Sequence, residues 1–206
     1  VNDVHDINLE TGLSDPLMSP MKRGHPDWLI GGDGPARTAY NFSVGEVCDY
    51  KLSLALEAIA NYDLDGLDWD YCRSPSFFPD GVGQQHSHVM TDLMRELRAA
   101  VNAKARQVGK PVCLSARIPG SLDDAHAKGL DVRAWIAEGL MDIVIVGHAR
   151  ANKHRLPVEE YVDAARGTDI HVVAQNLGLF MQPRPLSARL LWNERDYYST
   201  EMCRAT

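Results

Sequence analysis

Residues 62–78 read YDLDGLDWDYCRSPSFF, and the fold turns on how this stretch is read. Leu67, Trp69 and Tyr71 alternate with Asp68, Asp70 and Cys72. Period-two alternation is the mark of a β-strand. One face is bulky and apolar; the other carries two carboxylates two residues apart. A surface strand with its acids in water would give the same alternation, but acids are poor strand formers. The pattern therefore predicts a parallel barrel strand, its apolar face on helices and its acidic face in a catalytic mouth.

Upstream, Val1–Asp6 (VNDVHD) reads as the tail of a strand, with Asn2, Val4 and Asp6 on one face and Asp3 and His5 on the other. Glu10–Thr38 is an irregular loop holding Pro16, Pro20, Pro26, Pro35 and the GGDG run at Gly31–Gly34, anchored by Trp28 and Leu29. Long loops in compact domains are commonly functional. Ala39–Phe42 reads as a short strand. Ser43–Tyr62 reads as a helix, with Ser43 and Glu46 as a capping box and Val47, Tyr50, Leu54, Ala58 and Tyr62 facing inward.

Downstream, His86–Val108 is predicted to be a helix burying Val89, Leu93, Met94, Leu97, Val101 and Ala105 and stopped by Gly109. Pro111–Pro119 is a strand. Asp131–Glu138 is a helix capped by Asp131 and ended by Gly139. Met141–Val146 and Asp169–Asn176 are apolar enough for strands buried on both faces. Pro157 opens the helix between them and Gly167 ends it. Thr200–Ala205 reads as the start of a further helix. Strict strand–helix alternation means crossover units and a parallel sheet, closed as a barrel or open and doubly wound.

The 206 residues suit a single domain, and 45% apolar content supports a sizeable core. A net charge of −7 argues against nucleic acid or an anionic membrane as main partner. No apolar run is long enough to cross a bilayer. Cys48, Cys72, Cys113 and Cys203 lack ligand spacing and read as free thiols, Cys48 in a helix and Cys113 in a strand. GGDG is not followed by a helix, so no nucleotide site is read there and no cofactor is expected.

Function is read from the strand ends. Polar residues close each predicted strand: Asn2, Asp3, His5 and Asp6; Asn41; Asp68 and Asp70; Arg117; His148; Gln175 and Asn176. Each has a dull reading: His148 as a hydrogen-bonded structural histidine, Asn176 as a turn former, Arg117 as a structural ion pair. Their recurrence over six strands suggests one shared mouth, where barrel enzymes hold their chemistry. Two carboxyl groups at such a mouth suit glycoside cleavage. Asp70, nearest the strand end, is expected as the ionised partner, and Asp68, one pleat deeper, as the holder of a hydrogen-bond network or as a charge that pushes up a neighbour's pKa. Arg73 is expected to keep Asp70 ionised. Trp28, Phe77, Phe78 and Trp192 fall in loops where they would offer flat faces to sugar rings. A metal reading draws on His86, His88, His5, His148, Asp68 and Asp70, but His86 and His88 open a helix, where residues two apart diverge.

The focal DLDGLDWDYCR, HPDWL at His25–Leu29 and STEMCRA at Ser199–Ala205 together resemble the family 10-like glycosyl hydrolases, bacterial TIM-barrel proteins. The resemblance spans almost the whole chain. It implies a (β/α)8 barrel in which Val1–Asp6 ends the second strand, Tyr62–Arg73 holds the fourth and Asp169–Asn176 is the seventh. The first and eighth strands are then missing, and the chain is expected to be a piece of a longer protein. The focal strand is also similar to the family 18 chitinase motif DGxDxDxE, with Asp65, Gly66, Asp68 and Asp70 in the matching places. Cys72 stands where that motif has its acidic Glu, so the second carboxyl must come from elsewhere. Asp6, Asp123, Asp124 and Glu194 are open, with Glu194 favoured. The expectation is a barrel glycoside hydrolase acting on a poly- or oligosaccharide. The alternatives are a non-catalytic carbohydrate-binding barrel and a metal-dependent barrel hydrolase.

Overall fold

A computed structural model of the protein describes residue 2 and residues 19–147 and 156–175. Its frame is a four-stranded sheet of β1 (Gly66–Asp70), β2 (Cys113–Pro119), β3 (Ile143–Gly147) and β4 (His171–Ala174), all parallel and in sequence order. Among the described residues six α-helices accompany them: α1 (Pro20–Gly24), α2 (Gly45–Asn61), α3 (Ser87–Val108), α4 (Leu122–Ala127), α5 (Val132–Ala137) and α6 (Val158–Ala165). The protein is thus α/β, and these strands are the focal one and the three that follow it in the sequence reading.

A parallel pair needs a crossover, and each crossover here steps one strand in the same direction. With a constant hand, all three place their helices on one face of the sheet. Burial agrees. Trp69, Leu114, Ala116, Ile118, Val144 and Val146 are all buried, and they alternate along the strands on the helix side. Each aliphatic side chain buried there contributes about 1.5–3 kcal/mol. The other face carries Asp68, His171 and Val173, all exposed, beside half-buried Ile143 and Ile145. β3 and β4 are therefore covered on one side only among the described residues, not on both as their apolar runs predicted.

The helices lock onto this layer through satisfied polar groups as well as apolar area. Trp135 of α5 donates its indole N–H to Thr91 of α3 at 2.9 Å, and Tyr161 of α6 donates to the Gly120 carbonyl at 3.0 Å. At the N-terminal end of the sheet, Arg98 of α3 grips Asp142 with two nitrogens at 3.2 and 2.7 Å. The same carboxylate accepts the Leu114 N–H at 2.6 Å. Lys110 reaches Asp63 and Asp65 at 2.9 Å each. Charged side chains thus tie the lower rim of the sheet to α3 and to the turn before β2.

Three expectations about elements are corrected. Ala39–Phe42 forms no strand of the parallel sheet: Tyr40 makes an isolated antiparallel bridge with Leu29, and Phe42 donates to the Phe77 carbonyl. In α2 the buried residues are Val47, Leu52, Ala55 and Ile59, while Leu54 and Tyr62 are exposed. Ser43 caps nothing there: its N–H and hydroxyl both bind Asn41, and the helix starts two residues later. A helix not foreseen, α4, opens on a capping box between Ser121 and Asp124. The expected loop at Glu10–Thr38 also holds α1. Two helix-end signals held: α3 ends at Gly109 in the left-handed conformation, and Asp131 caps α5 by accepting the Ala134 N–H at 3.1 Å. The expected strand at Val1–Asp6, Asn2 apart, and the helix start at Thr200–Ala205 lie outside the described residues.

Candidate functional site

The register of β1 on β2 sets Asp68 opposite Ser115 and Asp70 opposite Arg117. All four belong to the face that the helices leave uncovered. Successive residues on one face of a strand stand about 6.6 Å apart, so the two pairs form adjacent rungs. On the lower rung, Ser115 donates its hydroxyl to Asp68 Oδ1 at 2.6 Å. On the upper rung, Arg117 donates from Nε to Asp70 Oδ1 at 2.9 Å and from a terminal nitrogen to Oδ2. The Cys72 N–H adds a bond to Asp70 Oδ1 at 2.7 Å.

Burial by itself pushes the Asp70 carboxyl up. The Arg117 and Cys72 hydrogen bonds, with the guanidinium charge, outweigh it and hold Asp70 below the usual carboxylate range. The partner that keeps Asp70 ionised is therefore Arg117; Arg73, expected in that role, is exposed in the following loop. Asp70 is ionised, as expected of it, and it also takes the place expected of Asp68. Asp70 holds the hydrogen-bond network, and Asp68 is the more open carboxylate.

Above these rungs, β1 leads to Cys72, which is 2% exposed. Burial, and then the Asp70 charge, push its thiol up to about 12. At neutral pH it is a protonated thiol, neither a nucleophile nor an acid of useful strength. Gly147 at the end of β3 makes room here. A Cβ on it would lie 2.3 Å from Gln175 Oε1 and 3.2 Å from Cys72 Sγ. Cys72, Gly147 and Gln175 thus meet at the C-terminal end of the sheet.

Other expected site residues are engaged elsewhere. The Asn2 side chain donates to the Tyr40 and Ser76 carbonyls at 3.0 and 2.6 Å and accepts the Tyr40 N–H at 3.0 Å, a clamp on backbone. Asn41 forms a turn with Ser43. Trp28 has one ring face stacked on His25 at 4.0 Å and also meets Tyr50 of α2 at 6.0 Å, so part of its aromatic surface is used in packing the loop onto that helix. Phe77 and Phe78, expected at the rim, are buried in the core. His86 stacks on Phe78 at 5.2 Å. Asp124 caps α4, and Asp123 lies 3.6 Å from Arg133. Asp3, His5, Asp6, His148, Asn176, Trp192 and Glu194 lie outside the described residues.

Sequence reasoning missed Ser115. The signal was present: in CLSARIP, strand alternation puts Ser115 on the same face as Arg117. Comparison with protein-family models and with curated proteins finds no match for this chain.

Proposed function

We propose that the chain is part of a (β/α)8 barrel whose mouth cleaves glycosidic bonds in a poly- or oligosaccharide, through carboxylates that include Asp68 and Asp70. The observation that carries this reading is the pair of rungs, Asp68 with Ser115 and Asp70 with Arg117, on the face of a parallel sheet wound in one direction that carries no helix among the described residues. A sheet that adds strands in sequence with its helices on one side is the geometry that closes into a barrel; a doubly wound sheet reverses order and covers both faces. Barrel chemistry gathers at the C-terminal strand ends, and Asp70 and Arg117 lie toward that end of β1 and β2. An ionised carboxylate with an open oxygen, as Asp68 has, suits a reaction that develops positive charge at a sugar carbon.

A second reading is a barrel that binds carbohydrate without cleaving it. Cys72 favours this: the residue in the chitinase-like acid position is a buried thiol that cannot protonate a leaving oxygen. One experiment separates the two. The protein is offered a panel of plant, fungal and bacterial polysaccharides, with reducing ends and retention both measured. Turnover by the parent that disappears in the Asp68→Asn/Asp70→Asn double variant, with retention kept, supports the hydrolase. Retention without turnover supports the binder, and neither retention nor turnover removes the carbohydrate reading.

A further inference from the structure

Resting on that carbohydrate reading, the geometry points to Asp68, braced by Ser115, as the carboxylate that contacts the bound sugar, with Asp70 a positioning residue engaged by Arg117. An ionised carboxylate offers about four acceptor positions. Asp70 fills three of them with the two Arg117 donors and the Cys72 N–H, and its side chain is 24% exposed. A sugar hydroxyl would have to displace part of a charge-assisted fork to reach it. Asp68 is exposed and accepts one bond, from Ser115 to Oδ1. Its Oδ2 makes no hydrogen bond among the described residues. Ser115 restricts one oxygen of Asp68 and leaves the other for a ligand.

The surroundings suit a pyranose ring. Across the sheet, the row through Asp68 runs Ser115, Ile143 and His171, and the next row runs from Asp70 through Arg117 to Ile145 and Val173. Polar groups at the β1–β2 side adjoin a half-buried aliphatic patch of Ile143 and Ile145. Sugar rings present hydroxyl edges and an apolar C–H face, and a site of this composition meets both. Arg117 acts through Asp70: it draws the upper carboxylate against β2 and leaves the lower one open.

The test is carboxylate modification of the full chain with a water-soluble carbodiimide and glycine ethyl ester, mapped by mass spectrometry on the peptide holding Asp68 and Asp70. A carboxylate in a guanidinium fork reacts slowly, so Asp68 is expected to react at least about fivefold faster than Asp70. Arg117→Met is expected to bring Asp70 to a rate like that of Asp68, and Arg117→Lys to restore part of its protection. Hexasaccharides of glucose, xylose, mannose and N-acetylglucosamine are then added separately, and one of them is expected to slow modification of Asp68. Asp70 reacting as fast as Asp68 in the parent chain overturns the division of roles, whether or not the variants fold. The expected order without protection by any hexasaccharide shows instead that the sugar reading is wrong.

Discussion

Arg117 on β2 holds Asp70 on β1 through two nitrogens at a single register position of two parallel strands. The pair has a definite pH signature. Asp70 is held below its ordinary value in the folded chain, so its stabilising contribution is complete above the unfolded carboxyl value. That contribution is lost as pH falls through the lowered folded value. In Arg117→Met a partly buried Asp70 keeps only the Cys72 N–H against the cost of burial, and its ionised form loses most of its stabilisation. Arg117→Met is therefore expected to cost about 1.5–3 kcal/mol at neutral pH and progressively less in acid. Urea unfolding of parent and variant between neutral pH and pH 3 measures it. A cost independent of pH would mean that packing, not charge, explains the loss.

Cys72 yields a prediction about reactivity. With its thiol near 12, about one molecule in 10,000 carries the thiolate at pH 8. Burial adds a steric barrier. Iodoacetamide applied to the native protein at pH 8 is expected to leave Cys72 unmodified over hours, whereas the unfolded protein reacts there within minutes. Peptide mapping reads the difference. Rapid native labelling would show that the C-terminal end of β1 opens to solvent, and the packing around Gly147 and Gln175 would need revision.

How much of this was legible depends on how many alternatives each segment offered. The focal strand and the three that follow were readable because period-two alternation or short apolar runs sat between Gly, Pro and Asp signals. In α2 the sequence KLSLALEAIA places Leu52, Leu54 and Leu56 two apart, so several faces could be buried. Neighbours chose the Leu52, Ala55, Ile59 face, and periodicity could not foresee them. The α4 helix was missed although Ser121 and Asp124 carry its capping signal, because six residues give too short a period to count. At the site, the positions of Asp68 and Asp70 were readable but their roles were not. Partners are set by cross-strand register, and only the pairing of β1 with β2 shows that Arg117, not Arg73, meets Asp70.

The lower rim of the sheet gives a stability prediction independent of function. Burial pushes the Asp142 carboxyl up; its bonds to Arg98 and the Leu114 N–H more than compensate, leaving it below the usual range. Arg98→Met removes the stronger partner and leaves a half-buried carboxylate with one backbone donor. Because the Asp142 side chain is 43% exposed, solvent screens the pair and the expected loss is about 0.5–1.5 kcal/mol at neutral pH, shrinking as Asp142 protonates in acid. Because Arg98 lies at the end of the sheet opposite Arg117, the two losses are expected to add within about 0.5 kcal/mol in the double variant. Chemical denaturation of the four proteins in this cycle decides it, and a larger coupling would show that the two ends of the sheet do not behave independently.

Two left-handed glycines separate backbone strain from crowding. Gly109 ends α3 at φ +69° with open space around it, so Gly109→Ala meets only the conformational penalty, about 1–2 kcal/mol. Gly129 has φ +91°, and a Cβ there would stand 2.4 Å from the Phe78 ring and 3.0 Å from the Gly83 carbonyl oxygen. Phe78 is itself 5% exposed and stacked on His86, so it has little freedom to yield. Gly129→Ala combines strain with overpacking and is expected to cost about 2–4 kcal/mol. The displaced ring would press on the loop that follows β1, so the variant is also expected to speed iodoacetamide labelling of Cys72, while Gly109→Ala leaves it unchanged. Equal losses of stability in the two variants, measured by urea unfolding, would mean that Phe78 moves aside freely and that the loop above Asp70 is not held by the contact with Gly129.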